Sequence, residues 1–254
     1  MAGDGTEADR PVEAQHACPI PGFRAADCWI VALAGIPEPL EALLPAEEQA
    51  RAARFRQKCD GHRFAASHAA LRLILARYLD QPPASLVFAA GKNGRPFLTG
   101  GGKDLHFNLS HSGDVALVAV ASAPVGVDVE RIKEMADFVK IARRHFAPVE
   151  LENLLQTAAE EQPRAFHAIW TRKEAFVKAT GLGLRFPLTD FSTGGVAEAP
   201  FLMVKGQPCP DWTIMDLKPG EGYVGALAVA WPDAALRCLQ PDWPSLLDRL
   251  SPLR

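Results

Sequence analysis

Residues 170–181 read W-T-R-K-E-A-F-V-K-A-T-G, a stretch with the composition and spacing of a helix. Glu174 and Lys178 stand four residues apart, so an α-helix places both side chains on one face, one turn apart. Phe176 and Val177 fall on the opposite side, where they can anchor the helix in a core. An isolated Glu–Lys pair at this spacing is usually a surface pair worth about 0.2–0.5 kcal/mol. Whether this pair is more than that depends on the residues upstream.

A strand-like stretch upstream, residues 124–132, reads P-V-G-V-D-V-E-R-I. Because alternate residues of a strand share a face, Asp128 and Glu130 project together with Gly126, about 6.5 Å apart at the Cα atoms of the two acids. Carboxylates so close repel each other unless a cation lies between them, and such oxygen ligands suit Mg²⁺ alongside substrate phosphates. If the helix packs beside this strand, Glu174 adds a third carboxylate. The alternative is a half-exposed strand whose polar residues face solvent.

A third stretch, residues 106–113, reads H-F-N-L-S-H-S-G and places Ser110 and His111 at the end of a predicted strand. The pair does not predict a hydrolase, because adjacent residues of an extended chain point in opposite directions and the sequence has no G-x-S-x-G elbow. Both side chains can instead donate hydrogen bonds to a phosphate; a simple hairpin is the alternative. Scattered basic residues can add phosphate contacts, although each alone is more often a solvated surface residue. They are Arg51, Arg63, Lys92 and Arg95.

The composition is that of an ordinary globular protein, with 254 residues, 48% hydrophobic and 22% charged, and a net charge of -3. This charge gives no indication of a nucleic-acid partner. No apolar run reaches the ~20 residues of a membrane span, and the first residues lack the apolar core of a signal peptide. The five cysteines are scattered and form no C-x-x-C pair, which fits reduced thiols. We therefore expect a cytoplasmic protein with no membrane and no nucleic-acid partner.

Helices and strands follow a similar order in the two halves of the chain. After a loose arm (residues 1–22), we predict helices that begin at Pro45 and Asp60, with Asp60 as a helix cap, and a long helix that Pro163 begins and Gly181 ends. Two shorter helices are predicted over 136–145 and 148–159. Strands are predicted over 28–33, 85–89, 107–110, 115–121, 125–130, 188–193, 201–204, 213–217 and 224–231. The order predicts two α+β lobes joined near residue 124.

The combination of G-V-D-V-E with W-T-R-K-E-A-F-V-K-A-T-G about forty residues later resembles the signature of the Sfp-type 4′-phosphopantetheinyl transferases. The upstream segments R-F-A-A-S-H-A-A-L-R, N-G-R-P and F-N-L-S-H-S-G match in order and spacing, and the resemblance covers residues 45–231. It implies two similar α+β lobes, 23–124 and 125–254, related by a pseudo-twofold axis, with coenzyme A in the cleft between them. It also implies transfer of the phosphopantetheine arm of coenzyme A to a serine of an apo acyl or peptidyl carrier protein. The reaction would use Mg²⁺, for which Mn²⁺ can substitute, and release adenosine 3′,5′-bisphosphate.

The resemblance assigns roles to individual residues. It implies that Asp128, Glu130 and Glu174 bind the metal, that Glu174 is also the base for the carrier serine, and that Lys178 lies at the transferred phosphate. The loop G-K-N-G-R-P leaves open whether Lys92 or Arg95 contacts coenzyme A. The implied coenzyme A contacts are Arg51, Arg63, Lys92, Arg95, Ser110 and His111.

Two alternatives use the same residues. A Mg²⁺-dependent pyrophosphohydrolase acting on coenzyme A or a nucleotide would employ the same carboxylates with water as the nucleophile. A coenzyme A-binding or carrier-docking module would bind without turnover, and the intact Glu174–Lys178 pair argues against it. Because both predicted lobes lie on one chain, we expect a monomer.

Overall fold

The fold combines short helices, two long helices and several small sheets. The structure, a computed structural model, describes residues 20–35, 43–91, 96–99, 104–183, 186–196 and 198–248. Its helices are α1 (Ala46–Ala53), α2 (Lys58–Leu79), α3 (Phe138–His145), α4 (Pro148–Gln156), α5 (Gln162–Thr180) and α6 (Trp243–Leu247). Its strands are β1 (Ala25–Ala32), β2 (Phe88–Ala90), β3 (Pro96–Leu98), β4 (His106–Ser112), β5 (Val115–Ala121), β6 (Val125–Arg131), β7 (Phe191–Ser192), β8 (Met203–Val204), β9 (Gln207–Pro208), β10 (Thr213–Leu217), β11 (Tyr223–Val229) and β12 (Ala235–Leu239). The predicted α+β class is confirmed.

The first main sheet has the strand order β12-β1-β5-β4. Strand β5 pairs antiparallel with both β1 and β4, and β1 pairs parallel with β12. Helix α2 packs on this sheet through a stripe that includes Ala66, Ala70, Leu73 and Ile74, all of which are buried. The small alanines let the helix lie close to the sheet, and β4 is left as the edge strand nearest the second half of the chain.

The second main sheet is antiparallel, with the order β10-β11-β6, and carries α5 on one face. The valines of β6, Val125, Val127 and Val129, pack into the core shared with β1 and β5. The opposite face of β6, with Gly126 and Asp128, meets α5. The predicted alternation of faces along this strand is therefore confirmed.

Helix α5 begins and ends as its sequence predicts. Pro163 lies in its first turn, where a missing backbone N–H costs nothing. Gly181 follows its last residue with a φ of 69°, the left-handed conformation that commonly ends a helix. The cap fixes the end of the helix that carries Lys178.

Other local predictions need correction. Asp60 does not cap α2, which begins two residues earlier, with Gln57 as its N-cap; the Asp60 carboxylate instead accepts a hydrogen bond from Arg63. The predicted strand over 85–89 is a 3₁₀ turn, Pro83–Ser85, followed by β2, and that over 188–193 begins with another 3₁₀ turn, Leu188–Asp190. In both places a proline begins a tight turn that interrupts extended backbone.

The end of the chain returns to the first half, which the sequence did not predict. Strand β12 adds to the edge of the first sheet beside β1, and α6 buries Trp243 and Leu246 in the core under α2. The lobe boundary near residue 124 stays a prediction, with 235–247 packing on the N-terminal side. Residues 1–19 of the predicted arm and residues 92–95 of the loop G-K-N-G-R-P lie outside the described residues. No helix in the described ranges is long and apolar enough to cross a membrane.

Candidate active site

Asp128 lies between β6 and α5, and only one of its carboxylate oxygens is satisfied. Lys178 Nζ donates to Asp128 Oδ1 at 2.5 Å, and Ser110 Oγ donates to the same oxygen at 2.9 Å. The other oxygen, Oδ2, is buried and has no hydrogen-bond partner within the described part of the chain. Because a buried polar atom without a partner is costly, Oδ2 is a position where a bound cation or donor would be stabilising.

Gly126 allows α5 to approach β6 this closely. A Cβ atom at Gly126 would overlap the carbonyl oxygen of Ala175 and the backbone nitrogen of Ala179. Since Gly126 and Asp128 share a face of β6, the same close approach brings the Asp128 carboxylate within reach of Lys178. The glycine of G-V-D-V-E therefore has a packing role that sets the geometry of the site.

Glu130 and Glu174 complete an acidic group around Asp128. Burial raises the pKa of Glu130, the charge of Asp128 raises it further, and a hydrogen bond from Ser112 opposes the shift. Burial also raises the pKa of Glu174, with Asp128 and Glu130 adding to it and Lys178 opposing it. The charge of Asp128 thus disfavours the ionisation of both glutamates, and the charge of Glu130 disfavours that of Glu174.

These acids offer oxygen donors of the kind that Mg²⁺ prefers, although they do not form a closed cage. Among the described residues, no group of three His, Cys, Asp or Glu side chains is arranged to hold a metal ion. Mg²⁺ commonly binds one or two carboxylates together with waters and substrate phosphates, so a closed cage is not required. The unpartnered Oδ2 of Asp128 and the raised pKa values of Glu130 and Glu174 are features that a cation would offset. The metal assignment remains a prediction that this donor chemistry supports.

Basic residues border the acidic group on the side of β4. Arg63 donates from Nε to Asp114 at 2.8 Å and from Nη1 to Asp60 at 3.2 Å, so its guanidinium is held in place by two acids. Burial lowers the pKa of His111, and the positive charges of Lys178 and Arg63 lower it further. His111 therefore lies in the field of two cations, an environment in which an anion would be favoured.

Arg51 extends the basic surface through an aromatic contact. Its guanidinium carbon lies 4.9 Å from the ring centre of Phe64, and the ring of His68 lies 3.9 Å from the same ring. Burial lowers the pKa of His68 and Glu48 opposes the shift. His68, which sequence analysis did not select, stands one helical turn after Phe64, so helical spacing was the signal that could have identified it.

Comparison with known protein families matches both halves of the chain. Residues 124–228 match the model of the 4′-phosphopantetheinyl transferase superfamily. Residues 38–124 match that of the 4′-phosphopantetheinyl transferase N-terminal domain.

Individual proteins match over longer stretches. The 4′-phosphopantetheinyl transferase HetI of Nostoc sp. is 37% identical over 194 residues, which cover 75% of this chain and 80% of that protein. The chain belongs to the 4′-phosphopantetheinyl transferase family. The family member Sfp of Bacillus subtilis is 32% identical over 193 residues, 74% of this chain and 82% of that protein. A second Bacillus subtilis 4′-phosphopantetheinyl transferase is 35% identical over 159 residues, 63% of this chain and 70% of that protein. The solved structure of Thermotoga maritima holo-[acyl-carrier-protein] synthase overlaps with a TM-score of 0.34 at 23% identity over 43% of this chain and 64% of that one, too loosely to support a conclusion.

The structure brings some of the predicted site residues into contact and does not describe others. Lys178, Asp128 and Ser110 are in direct contact, with Lys178 Nζ 3.1 Å from Ser110 Oγ. In this arrangement Ser110 donates its one hydroxyl proton to Asp128. To donate to a phosphate, as predicted, Ser110 would have to give up its hydrogen bond to Asp128. Lys92 and Arg95 lie outside the described residues.

Two further sets of polar residues were not predicted from the sequence. Asn108 and Ser112 flank Ser110 at alternate positions of β4 and bond to β6. Their N-x-S-x-S alternation was the signal that could have identified them. Lys173 forms a fully buried pair with Glu150, and a lysine in K-E gives no sign of burial in the sequence.

Proposed function

We propose that this chain transfers the 4′-phosphopantetheine group of coenzyme A to a serine of an apo acyl or peptidyl carrier protein. The reaction would require Mg²⁺, or Mn²⁺ in its place, and release adenosine 3′,5′-bisphosphate. The observation that carries the proposal is the contact of Lys178 with Asp128, which joins a cation and a half-satisfied carboxylate between α5 and β6. Membership of the phosphopantetheinyl transferase family supports the same reaction.

The acidic residues would bind the metal. Asp128, Glu130 and Glu174 provide oxygen donors, and a bound cation would offset the burial and the neighbouring carboxylate charges that raise the pKa values of the two glutamates. When bound, Mg²⁺ supplies positive charge that offsets the charge of the pyrophosphate and of the leaving group. The three carboxylates would determine the position of the metal ion before the substrate binds.

Lys178 would act on the phosphate that is transferred. Its side chain is 28% exposed and lies at the edge of the acidic group, so its ammonium can turn from Asp128 towards an incoming phosphate oxygen. Charge aimed at the transferring group stabilises the transition state more than the bound substrate. The lysine therefore contributes mainly to the chemical step.

Glu174 would accept the proton of the carrier serine, directly or through a water. The serine oxygen attacks the phosphorus of the phosphopantetheine arm, and the bond between that phosphorus and the bridging oxygen of the pyrophosphate breaks. Adenosine 3′,5′-bisphosphate leaves with the bridging oxygen. The raised pKa of Glu174 belongs to the metal-free protein, and a bound cation would lower it, so the proton-accepting role of Glu174 competes with its metal-binding role.

The basic residues on α1, α2 and β4 would bind the anionic end of coenzyme A. His111 lies in the field of Lys178 and Arg63, and Arg51 rests on Phe64 beside His68. Each can offer a charge-assisted contact to a phosphate. Because these groups and the acidic residues come from one chain, we expect the protein to act as a monomer, which light scattering would test.

The test is incubation with an apo acyl carrier and an apo peptidyl carrier, each with coenzyme A and Mg²⁺, followed by intact mass. We expect at least one carrier to gain the mass of a single phosphopantetheine. In a parallel incubation with EDTA, the mass of the carrier should stay unchanged. A parallel incubation without carrier should leave coenzyme A intact. Release of free phosphopantetheine with an unmodified carrier would contradict transfer and indicate hydrolysis.

A further inference from the structure

Two sheet edges meet beside the acidic group, and side chains join them. Strand β4 is an edge of the first sheet and β6 an edge of the second. Three alternate side chains of β4 accept hydrogen bonds from backbone N–H groups of β6. The pairs are Val127 N to Asn108 Oδ1 at 2.9 Å, Val129 N to Ser110 Oγ at 3.4 Å, and Arg131 N to Ser112 Oγ at 3.1 Å. We call this set the seam ladder.

The two serines of the seam ladder repeat one unit. Ser110 Oγ accepts from the N–H that follows Asp128 and donates to Asp128 Oδ1 at 2.9 Å. Ser112 Oγ accepts from the N–H that follows Glu130 and donates to Glu130 Oε2 at 2.9 Å. A hydroxyl has one proton and two lone pairs, so it can make both bonds at once. Each serine thereby ties one carboxylate oxygen to the backbone of the strand that carries it.

Asn108 lacks this second function. Its side chain accepts a hydrogen bond from Val127 N of β6, as the serines accept from other N–H groups of β6. The residue before Val127 is Gly126, whereas an acid stands at the equivalent place for each serine. Within the part of the chain that the structure describes, Asn108 therefore joins the sheets without a hydrogen bond to a carboxylate, which separates the joining of the two strands from the orientation of the acids.

We propose that Ser110 and Ser112 are positioning residues that orient Asp128 and Glu130 towards a bound divalent cation. The inference rests on the proposed function, which assigns those acids to the metal. Partners that hydrogen-bond to ligating carboxylates fix their orientation, and removing such a partner typically weakens metal binding by about ten- to a hundredfold. Ser112 is the cleaner test because Ser110 also contacts Lys178.

The experiment measures Mn²⁺ binding by the electron paramagnetic resonance signal of free Mn²⁺. The full chain is titrated with coenzyme A present and no carrier, so that no turnover occurs, and coenzyme A alone is subtracted. Ser112→Val and Ser112→Thr are compared, because the two side chains have nearly the same shape and only threonine keeps the hydroxyl. We expect Ser112→Val to weaken Mn²⁺ binding by about ten- to a hundredfold and Ser112→Thr to retain wild-type affinity.

Asn108→Ala is the matched control. It removes a bond between the same two strands, so it should lower the urea midpoint while leaving Mn²⁺ affinity unchanged. Equal Mn²⁺ affinity in Ser112→Val and Ser112→Thr would overturn the positioning role. Equal weakening in Ser112→Val and Asn108→Ala would also overturn it, because the seam would then act only as structure. Absence of Mn²⁺ binding by the wild type would refute the metal assignment in the proposed function, and the inference would fall with it.

Discussion

Helix α5 carries two lysine–carboxylate pairs five residues apart, and they differ in almost every respect except distance. Lys173 Nζ lies 2.6 Å from Glu150 Oε2, with both side chains fully buried. Lys178 Nζ lies 2.5 Å from Asp128 Oδ1 at the edge of the candidate active site. The two pairs differ in whether the carboxylate has hydrogen-bond partners for both of its oxygens or leaves one oxygen for a ligand.

The Lys173–Glu150 pair is closed. Lys173 also donates to the carbonyl oxygen of Phe191 at 2.7 Å, and Glu150 Oε2 accepts from Ala147 N at 2.9 Å. Glu150 Oε1 accepts from the backbone N–H of Thr193 at 2.7 Å and from its hydroxyl at 3.1 Å. Both carboxylate oxygens are therefore satisfied, and the network ties α4, α5 and β7 together.

The Lys178–Asp128 pair is open. Asp128 Oδ2 is buried and unpartnered among the described residues, and the pKa values of Glu130 and Glu174 are raised by burial and by neighbouring carboxylates. Adding a cation here would relieve repulsion, whereas adding one to the closed pair would create it. From this difference we expect the first pair to act on stability and the second to act in catalysis.

Breaking the closed pair should give the largest effect, and it should be on stability. Lys173→Met leaves the Glu150 carboxylate buried without its counter-charge, which typically costs about 3–5 kcal/mol. Urea unfolding followed by circular dichroism measures the change. Lys178→Met is the matched control on the same helix; because the Lys178 side chain is 28% exposed, water can reach the Asp128 carboxylate once the ammonium is removed, and we expect a smaller loss of stability than in Lys173→Met. Similar losses in the two variants would remove the distinction between the pairs.

Breaking the open pair should act on catalysis. Lys178→Met removes a charge that acts mainly in the transition state, so kcat for carrier modification should fall by about 10²–10³ while KM for coenzyme A changes much less. Initial rates over a range of coenzyme A concentrations measure both constants. A rise in KM with kcat unchanged would move Lys178 from the chemical step to substrate binding.

A smaller effect is expected at the basic border of the open pair. We predict that His111, with Arg63, contacts the 3′-phosphate of coenzyme A, while Ser110 keeps its hydrogen bond to Asp128. Wild type should discriminate against dephospho-coenzyme A in kcat/KM, and His111→Ala should reduce that discrimination by about ten- to a hundredfold, since a charge-assisted hydrogen bond contributes about 1.5–3 kcal/mol. Equal ratios in the two enzymes would show that His111 does not contact that phosphate.

The same contact predicts the direction of a pKa change. In the free protein, burial and the charges of Lys178 and Arg63 keep the pKa of His111 below its usual value. A bound phosphate dianion stabilises the protonated imidazole, so adenosine 3′,5′-bisphosphate should raise that pKa. A histidine titration by nuclear magnetic resonance, with and without the bisphosphate, measures the shift, and an unchanged pKa would argue against the contact.

Residues that depend on local spacing were predictable from the sequence. The four-residue interval between Glu174 and Lys178 and the alternation of Asp128 and Glu130 fix which face each side chain occupies, whatever the rest of the chain does. The helix bounded by Pro163 and Gly181 was predictable for the same reason.

Contacts between distant stretches were not predictable. The bond from Ser112 to Glu130 depends on two sheet edges meeting, and the burial of Lys173 depends on α4 packing against α5. Strand β12 was missed because it is short and partly exposed, so it lacks a clear apolar alternation. In each case tertiary packing, rather than local preference, decides the structure.

The open pair is proposed to perform metal-dependent transfer without supporting the fold, and Asp128→Asn tests this most directly. The rate of apo carrier modification is measured by intact mass at limiting and saturating Mg²⁺, together with the urea midpoint of the same preparation. We predict a rate lowered at least about a hundredfold, since a charge that stabilises the transition state contributes several kcal/mol, with a midpoint close to that of wild type. Transfer by Asp128→Asn at the wild-type rate at limiting Mg²⁺ would show that Asp128 does not bind the metal used in transfer.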